Sequence, residues 1–174
     1  MGRLTWPLLW LGLVTTVAVV LAANKSSNSA DLKNSQVEST ELKPYLTQGS
    51  LPEISVQDKK LQQFSLSNIL TAKTLLVVWN GNCDECTKEI EFLQGRTDLK
   101  FQIVFVNTAQ AVDEVEKFLT ERDLTLETYF DPRGQLIKEL KPDFPANYYV
   151  VDRQIRYYFP GRVNEKILQA LNDL

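Results

Sequence analysis

The chain has 174 residues, enough for one ordinary domain with appendages and too few for two of typical size. Its 44% hydrophobic and 24% charged residues argue against global disorder and fibrous repeats, and a net charge of −3 lacks the basic excess of a nucleic-acid binder. No histidine occurs, which removes Ser-His-Asp and Cys-His catalysis, His-ligated zinc or copper and His-held haem, and two cysteines alone cannot complete a four-ligand structural zinc site.

The 20 residues from Leu4 to Ala23 carry no charge, the length of a bilayer-spanning helix rather than the shorter apolar part of a cleaved leader. Arg3 precedes the run and Lys25 follows it, with Trp6 and Trp10 suited to a membrane boundary. Residues 1–23 are therefore expected to anchor the chain in the cytoplasmic membrane, with the remainder exported. Cleavage after Ala22 is the alternative, with Val20 and Ala22 at the small-residue positions. Residues 24–50, rich in Ser, Asn, Lys and Glu without a sustained period, read as a polar linker. The folded domain is expected over 51–174.

Within it, strand and helix patterns alternate. Glu53–Val56 and Leu61–Phe64 fit a hairpin around Asp58-Lys59-Lys60, and Ser65–Leu70 a short capped helix. Thr74–Trp79 is a continuous apolar β-rich run, as expected of a central strand covered on both faces. A helix over Cys83–Gln94 stops at Gly95. Phe101–Val106 reads as a second buried strand. A helix over Ala111–Thr120 follows, with Val112, Val115 and Leu119 on one face. Thr125–Phe130 reads as a third strand, closed by the turn Asp131-Pro132-Arg133-Gly134. Tyr148–Val151 and Ile155–Phe159 pair, and Asn164–Leu171 is a closing helix. The alternation implies an α/β domain with parallel strand pairs and a final antiparallel hairpin.

The chemistry lies in Cys83-Asp84-Glu85-Cys86. A Cys-x-x-Cys that follows a buried strand and opens a helix puts its first thiol at the helix amino terminus, where free N–H groups favour the thiolate. The second thiol, one turn on, can resolve a mixed disulfide. A structural disulfide is the plainer reading, but so short a loop restrains the unfolded chain little. Half of a zinc site shared with another chain is a third reading. Asp84 and Glu85 repel a neighbouring thiolate, which favours a reducing pair with a potential nearer roughly −270 mV than the roughly −120 mV of a strong oxidant.

The segments VVWNGNCDECTKEIEFL and FPANYYVVDRQIRYYFPGRV resemble the thioredoxin-fold reductases of the TlpA/ResA type, membrane-tethered thiol-disulfide oxidoreductases on the outer side of the bacterial cytoplasmic membrane. The resemblance implies a thioredoxin-like fold, a central mixed sheet flanked by helices. It implies that Cys83 is the exposed nucleophile and Cys86 its shielded partner, cycling between disulfide and dithiol. It assigns Glu89, three residues after Cys86, a part in moving protons, against the reading of a helix-surface Glu. It implies a cis-Pro145 opposite the dithiol, ahead of Pro142 as candidate, with Phe144 and Ala146 beside it to meet a substrate peptide. Trp79 matches an aromatic position at the strand end, where core packing is the other reading. Asn82 stands where relatives carry Trp, leaving a less hydrophobic rim. Val77 stands where cytosolic thioredoxins bury an acid, Glu91 where many relatives have Pro, and Asp152-Arg153-Gln154-Ile155 lacks the usual turn glycine. The implied partners are client proteins with disulfides, apocytochromes among them in cytochrome c maturation, and a membrane thiol-transporting electron donor. No cofactor is called for. The rivals are a disulfide oxidase or isomerase and a redox-inert binding or assembly module. A peroxidase lacks its Pro-x-x-x-Thr-x-x-Cys pattern before Cys83, and a copper chaperone is disfavoured by the missing histidine.

Overall fold

The computed structural model describes residues 49–174. The expected anchor and most of the expected linker lie outside the described residues. Among the described residues no helix is long and apolar enough to cross a membrane. Ordered pairing begins two residues before the expected start, since Gly49 carbonyl accepts from Ile155 N–H at 3.3 Å and Ser50 bridges to Gln154.

Seven strands form one mixed sheet: β1 (Ser55–Gln57), β2 (Gln63–Ser65), β3 (Lys73–Trp79), β4 (Gln102–Thr108), β5 (Thr128–Asp131), β6 (Ala146–Val151) and β7 (Gln154–Pro160). Their order is β2-β1-β5-β4-β3-β6-β7. β3 pairs parallel with β4 and antiparallel with β6, and β4 pairs parallel with β5. The apolar run 74–79 is thus the centre of a two-faced sheet. Alternation along β3 sends Leu75, Val77 and Trp79 to one layer and Leu76 and Val78 to the other, all fully buried. The first layer receives α2 (Asp84–Leu93), α3 (Val112–Glu121) and α5 (Glu165–Asn172) through Ile90, Leu93, Val115, Leu119, Leu168 and Leu171. The second receives α1 (Leu66–Ile69) and α4 (Gln135–Leu140) through Leu66 and Leu136.

Most expected elements stand, with four differences. The third strand is shorter than 125–130, because only Thr128–Asp131 meets the β4 ladder. Helix α4 has no counterpart in the sequence expectations. It starts where Gly134, at φ +62°, turns the chain and Asp131 Oδ2 accepts from Leu136 N–H at 2.8 Å. Ser65 precedes α1 without capping it, since its hydroxyl meets Ser67 Oγ at 2.8 Å and Glu53 Oε2 at 3.2 Å. The β6–β7 turn keeps a glycine-type backbone without glycine, with Asp152 at φ 50° and Arg153 at φ 63°. A two-residue turn of this kind matches the twist of its strands and imposes left-handed strain on both residues.

Candidate active site

The parallel strands β3 and β4 end on the same edge of the sheet, and the loops beyond them build the site. After Trp79 the chain turns through Asn80-Gly81-Asn82, with Cys83 N–H donating to the Asn80 carbonyl at 3.2 Å and Asn82 N–H to Asn80 Oδ1 at 2.9 Å. This loop is tied to the one after β4. Asn80 Nδ2 donates to the Thr108 carbonyl at 2.9 Å, and Gly81 N–H donates to Gln110 Oε1 at 2.6 Å. The same Gln110 oxygen accepts from the buried Asn107 Nδ2 at 2.9 Å. Glycine eases this close approach, since a Cβ at 81 would stand 3.1 Å from Gln110 Oε1 and that side chain would have to shift.

Cys83 is the N-cap of α2, at φ −119° and ψ 109°, and its Sγ accepts from Cys86 N–H at 3.1 Å. Cys83 and Cys86 are joined as a disulfide. Cys83 is half-buried and Cys86 fully buried, the asymmetry expected of an attacking and a resolving sulfur. Asp84 and Glu85 occupy the first turn, where acids favour the helix dipole while opposing a thiolate. Glu85 is not a bare charge, however. It is paired with Lys88 and lies 3.8 Å from Arg162 Nη1, and the Lys88 contact holds its carboxyl below the usual range. Its repulsion of a neighbouring thiolate is thus partly offset by two cations. Glu91 is exposed on an unbroken α2.

Glu89 is not on the helix surface. Cys86, Glu89, Ile90 and Leu93 are one buried face of α2, and Glu89 is 0% exposed. Its Oε1 accepts from Val163 N–H at 3.0 Å, and its Oε2 has no hydrogen-bond partner among the described residues. Burial pushes this carboxyl up to about 7. The opposing influences are the Val163 N–H, the Asn147 amide and Arg162, whose Nε lies 3.9 Å from Oε2. Asn147 itself donates to the Gly161 carbonyl at 2.9 Å. Its Oδ1, like Glu89 Oε2, is buried without a donor. A proton on the carboxyl supplies a donor where buried acceptors have none. Val77, in the place of the thioredoxin acid, is fully buried in the apolar layer, which leaves Glu89 as the carboxyl on the buried face of Cys86.

The Phe144–Pro145 peptide bond is cis, and Pro142 is not the cis proline. Register brings this loop to the site: Ala146 pairs with Val78, one residue before the end of β3. Three of the residues expected to meet substrate are buried. Trp79 is fully buried, donating from Nε1 to Thr128 Oγ1 at 3.2 Å with its ring 5.8 Å from that of Phe118, so it is core and offers no surface to a peptide. Ala146 is fully buried between Val78 and Pro160 in the sheet. Pro145 is buried and its carbonyl accepts from Gly161 N–H at 2.8 Å. Phe144, half-buried, and Asn82, exposed and next to Cys83 in the chain, keep accessible surface. Sequence reasoning missed Gln110, Asn147 and Arg162. Each is defined by a contact with a segment far away in the chain, and none carries a local signal.

A family profile described as "AhpC/TSA family" matches residues 47–158. No curated protein sequence matches the chain. Among solved structures, StoA from Bacillus subtilis is 22% identical, with a TM-score of 0.57 over 70% of this chain and 96% of its own. A secreted Mycobacterium tuberculosis disulfide oxidoreductase, described as homologous to E. coli DsbE, is 14% identical with a TM-score of 0.57, over 70% of this chain and 95% of its own. The exposed lipoprotein thioredoxin Etrx1 from Streptococcus pneumoniae is 18% identical with a TM-score of 0.57, over 71% of this chain and 100% of its own. At these identities the likeness establishes a thioredoxin-like fold.

Proposed function

The chain belongs to the AhpC/TSA family, and from that premise we propose that it is a thiol-disulfide oxidoreductase that reduces disulfides of client proteins outside the cytoplasm through Cys83 and Cys86. One observation carries the reading: a half-buried sulfur at the head of α2 is bonded to a fully buried one, and a buried carboxyl of raised proton affinity lies on the same helix face. A structural disulfide has no use for that carboxyl.

In the reduced chain the Cys83 thiolate attacks one sulfur of a client disulfide. The client S–S bond breaks, a mixed disulfide forms, and the leaving client thiolate takes up a proton. Cys86 then gives its thiol proton to the Glu89 carboxylate and attacks the Cys83 sulfur. The mixed disulfide breaks, the Cys83–Cys86 disulfide forms, and the second client thiolate leaves and is protonated in turn. Two electrons pass to the client. A carboxyl with a pKa of about 7 is matched to this task, because it can accept and return a proton near neutral pH. Phe144 and Asn82, which keep accessible surface, are the proposed contacts for the client backbone. Recharging then requires a dithiol donor, for which a membrane thiol transporter is the proposed source.

Placement outside the cytoplasm rests on the uncharged run at positions 4–23, read as a membrane anchor. The secreted and exposed descriptions of the Mycobacterium and Streptococcus proteins agree with it. Apocytochromes are the proposed clients within this class. Insulin reduction by the full chain with dithiothreitol tests the activity. We expect wild type to accelerate precipitation of the insulin B chain and Cys83→Ser to match the uncatalysed rate. Equal rates for the two proteins would favour a redox-inert module.

A further inference from the structure

The loop from β7 to α5 touches three parts of the site. Its Gly161 N–H donates to the Pro145 carbonyl at 2.8 Å, its Gly161 carbonyl accepts from Asn147, and its Val163 N–H donates to Glu89 at 3.0 Å. Between these fixed points sits Arg162, its side chain 38% exposed, with Nη1 3.8 Å from Glu85 Oε2 and Nε 3.9 Å from Glu89 Oε2. Two carboxyl groups, one at the surface beside Cys86 and one fully buried, thus share one guanidinium.

We propose, on the functional reading above, that Arg162 is a positioning residue for thiol-disulfide exchange: its charge keeps the buried Glu89 able to release the proton it takes from the resolving thiol. Every other influence on Glu89 is accounted for. From β6 comes the neutral Asn147 amide, from the β7–α5 loop the Val163 N–H, and from β3 only the apolar side chains of that layer. On α2 itself lie Cys83 and Cys86 and, towards solvent, Glu85 paired with Lys88. Arg162 is the cation that reaches Glu89 among the described residues. Desolvation alone would leave a buried carboxyl permanently protonated, a proton holder and not a carrier. The guanidinium donates no hydrogen bond within 3.5 Å among the described residues, and both ion pairs are long. Its influence on Glu89 therefore comes from charge and not from clamping the loop, which the backbone of residues 161 and 163 already holds.

The test titrates the carboxyl by ¹³C NMR in the oxidised full chain labelled at glutamate, with Glu89→Gln identifying the resonance. A parallel arm measures insulin reduction against pH. Arg162→Gln is expected to raise the Glu89 midpoint by roughly 0.7 pH, the effect of one solvent-screened unit charge at about 4 Å. Its pH-rate profile should move up equally, lowering the rate near neutrality by up to about fivefold, and Arg162→Lys should restore most of both. An unmoved midpoint in Arg162→Gln, or an equal shift in Arg162→Lys, would overturn the assignment while leaving the oxidoreductase reading intact. A moved midpoint with no turnover by wild type would overturn the oxidoreductase reading while retaining the electrostatic hold of Arg162 on Glu89.

Discussion

Two carboxyl groups are fully buried among the described residues, and their surroundings differ. Asp131, at the β5–α4 corner, accepts from Thr108 Oγ1 at 3.1 Å and from Leu136 N–H at 2.8 Å through one oxygen. Its carbonyl also accepts from Ala109 N–H and Gly134 N–H. It joins the β4 end to the start of α4 and faces no sulfur. Glu89, in the α2 crevice, has one backbone donor, a distant shared cation and a redox pair one helical turn away. Burial is common to both. Each also keeps one oxygen with no hydrogen-bond partner among the described residues, so the difference lies in the two donors on the other oxygen of Asp131 against one on Glu89, and in the sulfurs near Glu89.

The strongest way to break that comparison is to remove the carboxyl charge at 89. Glu89→Gln keeps the acceptor for Val163 N–H and loses the proton acceptor, so insulin reduction near pH 7 should fall by about 100-fold. A rate within threefold of wild type would show that Glu89, like Asp131, is structural. The converse substitution, Asp131→Ala, strips hydrogen bonds from two buried donors and should cost about 3 kcal/mol in urea unfolding. The activity of the folded fraction should be unchanged.

The pH dependence of stability sharpens the contrast. The Glu89 pKa is raised from 4.5 to about 7 on folding, so the folded chain binds this proton more tightly than the unfolded one. Its contribution is full below pH 4.5 and is lost as pH rises towards 7, by roughly 3 kcal/mol. Oxidised wild type and Glu89→Gln should therefore be similar in stability at pH 4, with the variant more stable at pH 8. Parallel stability curves would contradict the raised pKa. The smallest effect concerns a site of strain without function. Arg153→Gly relieves a left-handed φ of 63° in the closing turn and should stabilise the chain by about 1 kcal/mol with no change in activity.

Local signals made the frame legible and distance hid the rest. The β-rich run of β3, the helix stop at Gly95 (φ +72°) and the paired runs of β6 and β7 are written in neighbouring residues, and so is the Cys-x-x-Cys. The asymmetry of the two sulfurs follows from helix periodicity, since Cys86 shares the buried face of Ile90 and Leu93 while the N-cap does not. Helix α4 escaped because six residues carry little period, and its start depends on the side chain of Asp131 beneath it. The burial of Glu89 depends on Val163, 74 residues away, and the Gln110 tie to Gly81 spans 29. Trp79 shows the limit of position alone. A strand-end aromatic can face a substrate or the core, and the hydroxyl of Thr128, 49 residues on, settles its indole N–H inside.

A reachable sulfur at Cys83 and a hidden one at Cys86 should differ in what they capture, and trapping separates them. The full chain carrying Cys86→Ser, mixed with a peptide that contains a disulfide, should accumulate a stable one-to-one mixed disulfide through Cys83, resolved by mass spectrometry. The Cys83→Ser chain should capture far less. Equal capture through either cysteine, or none through Cys83, would contradict the account.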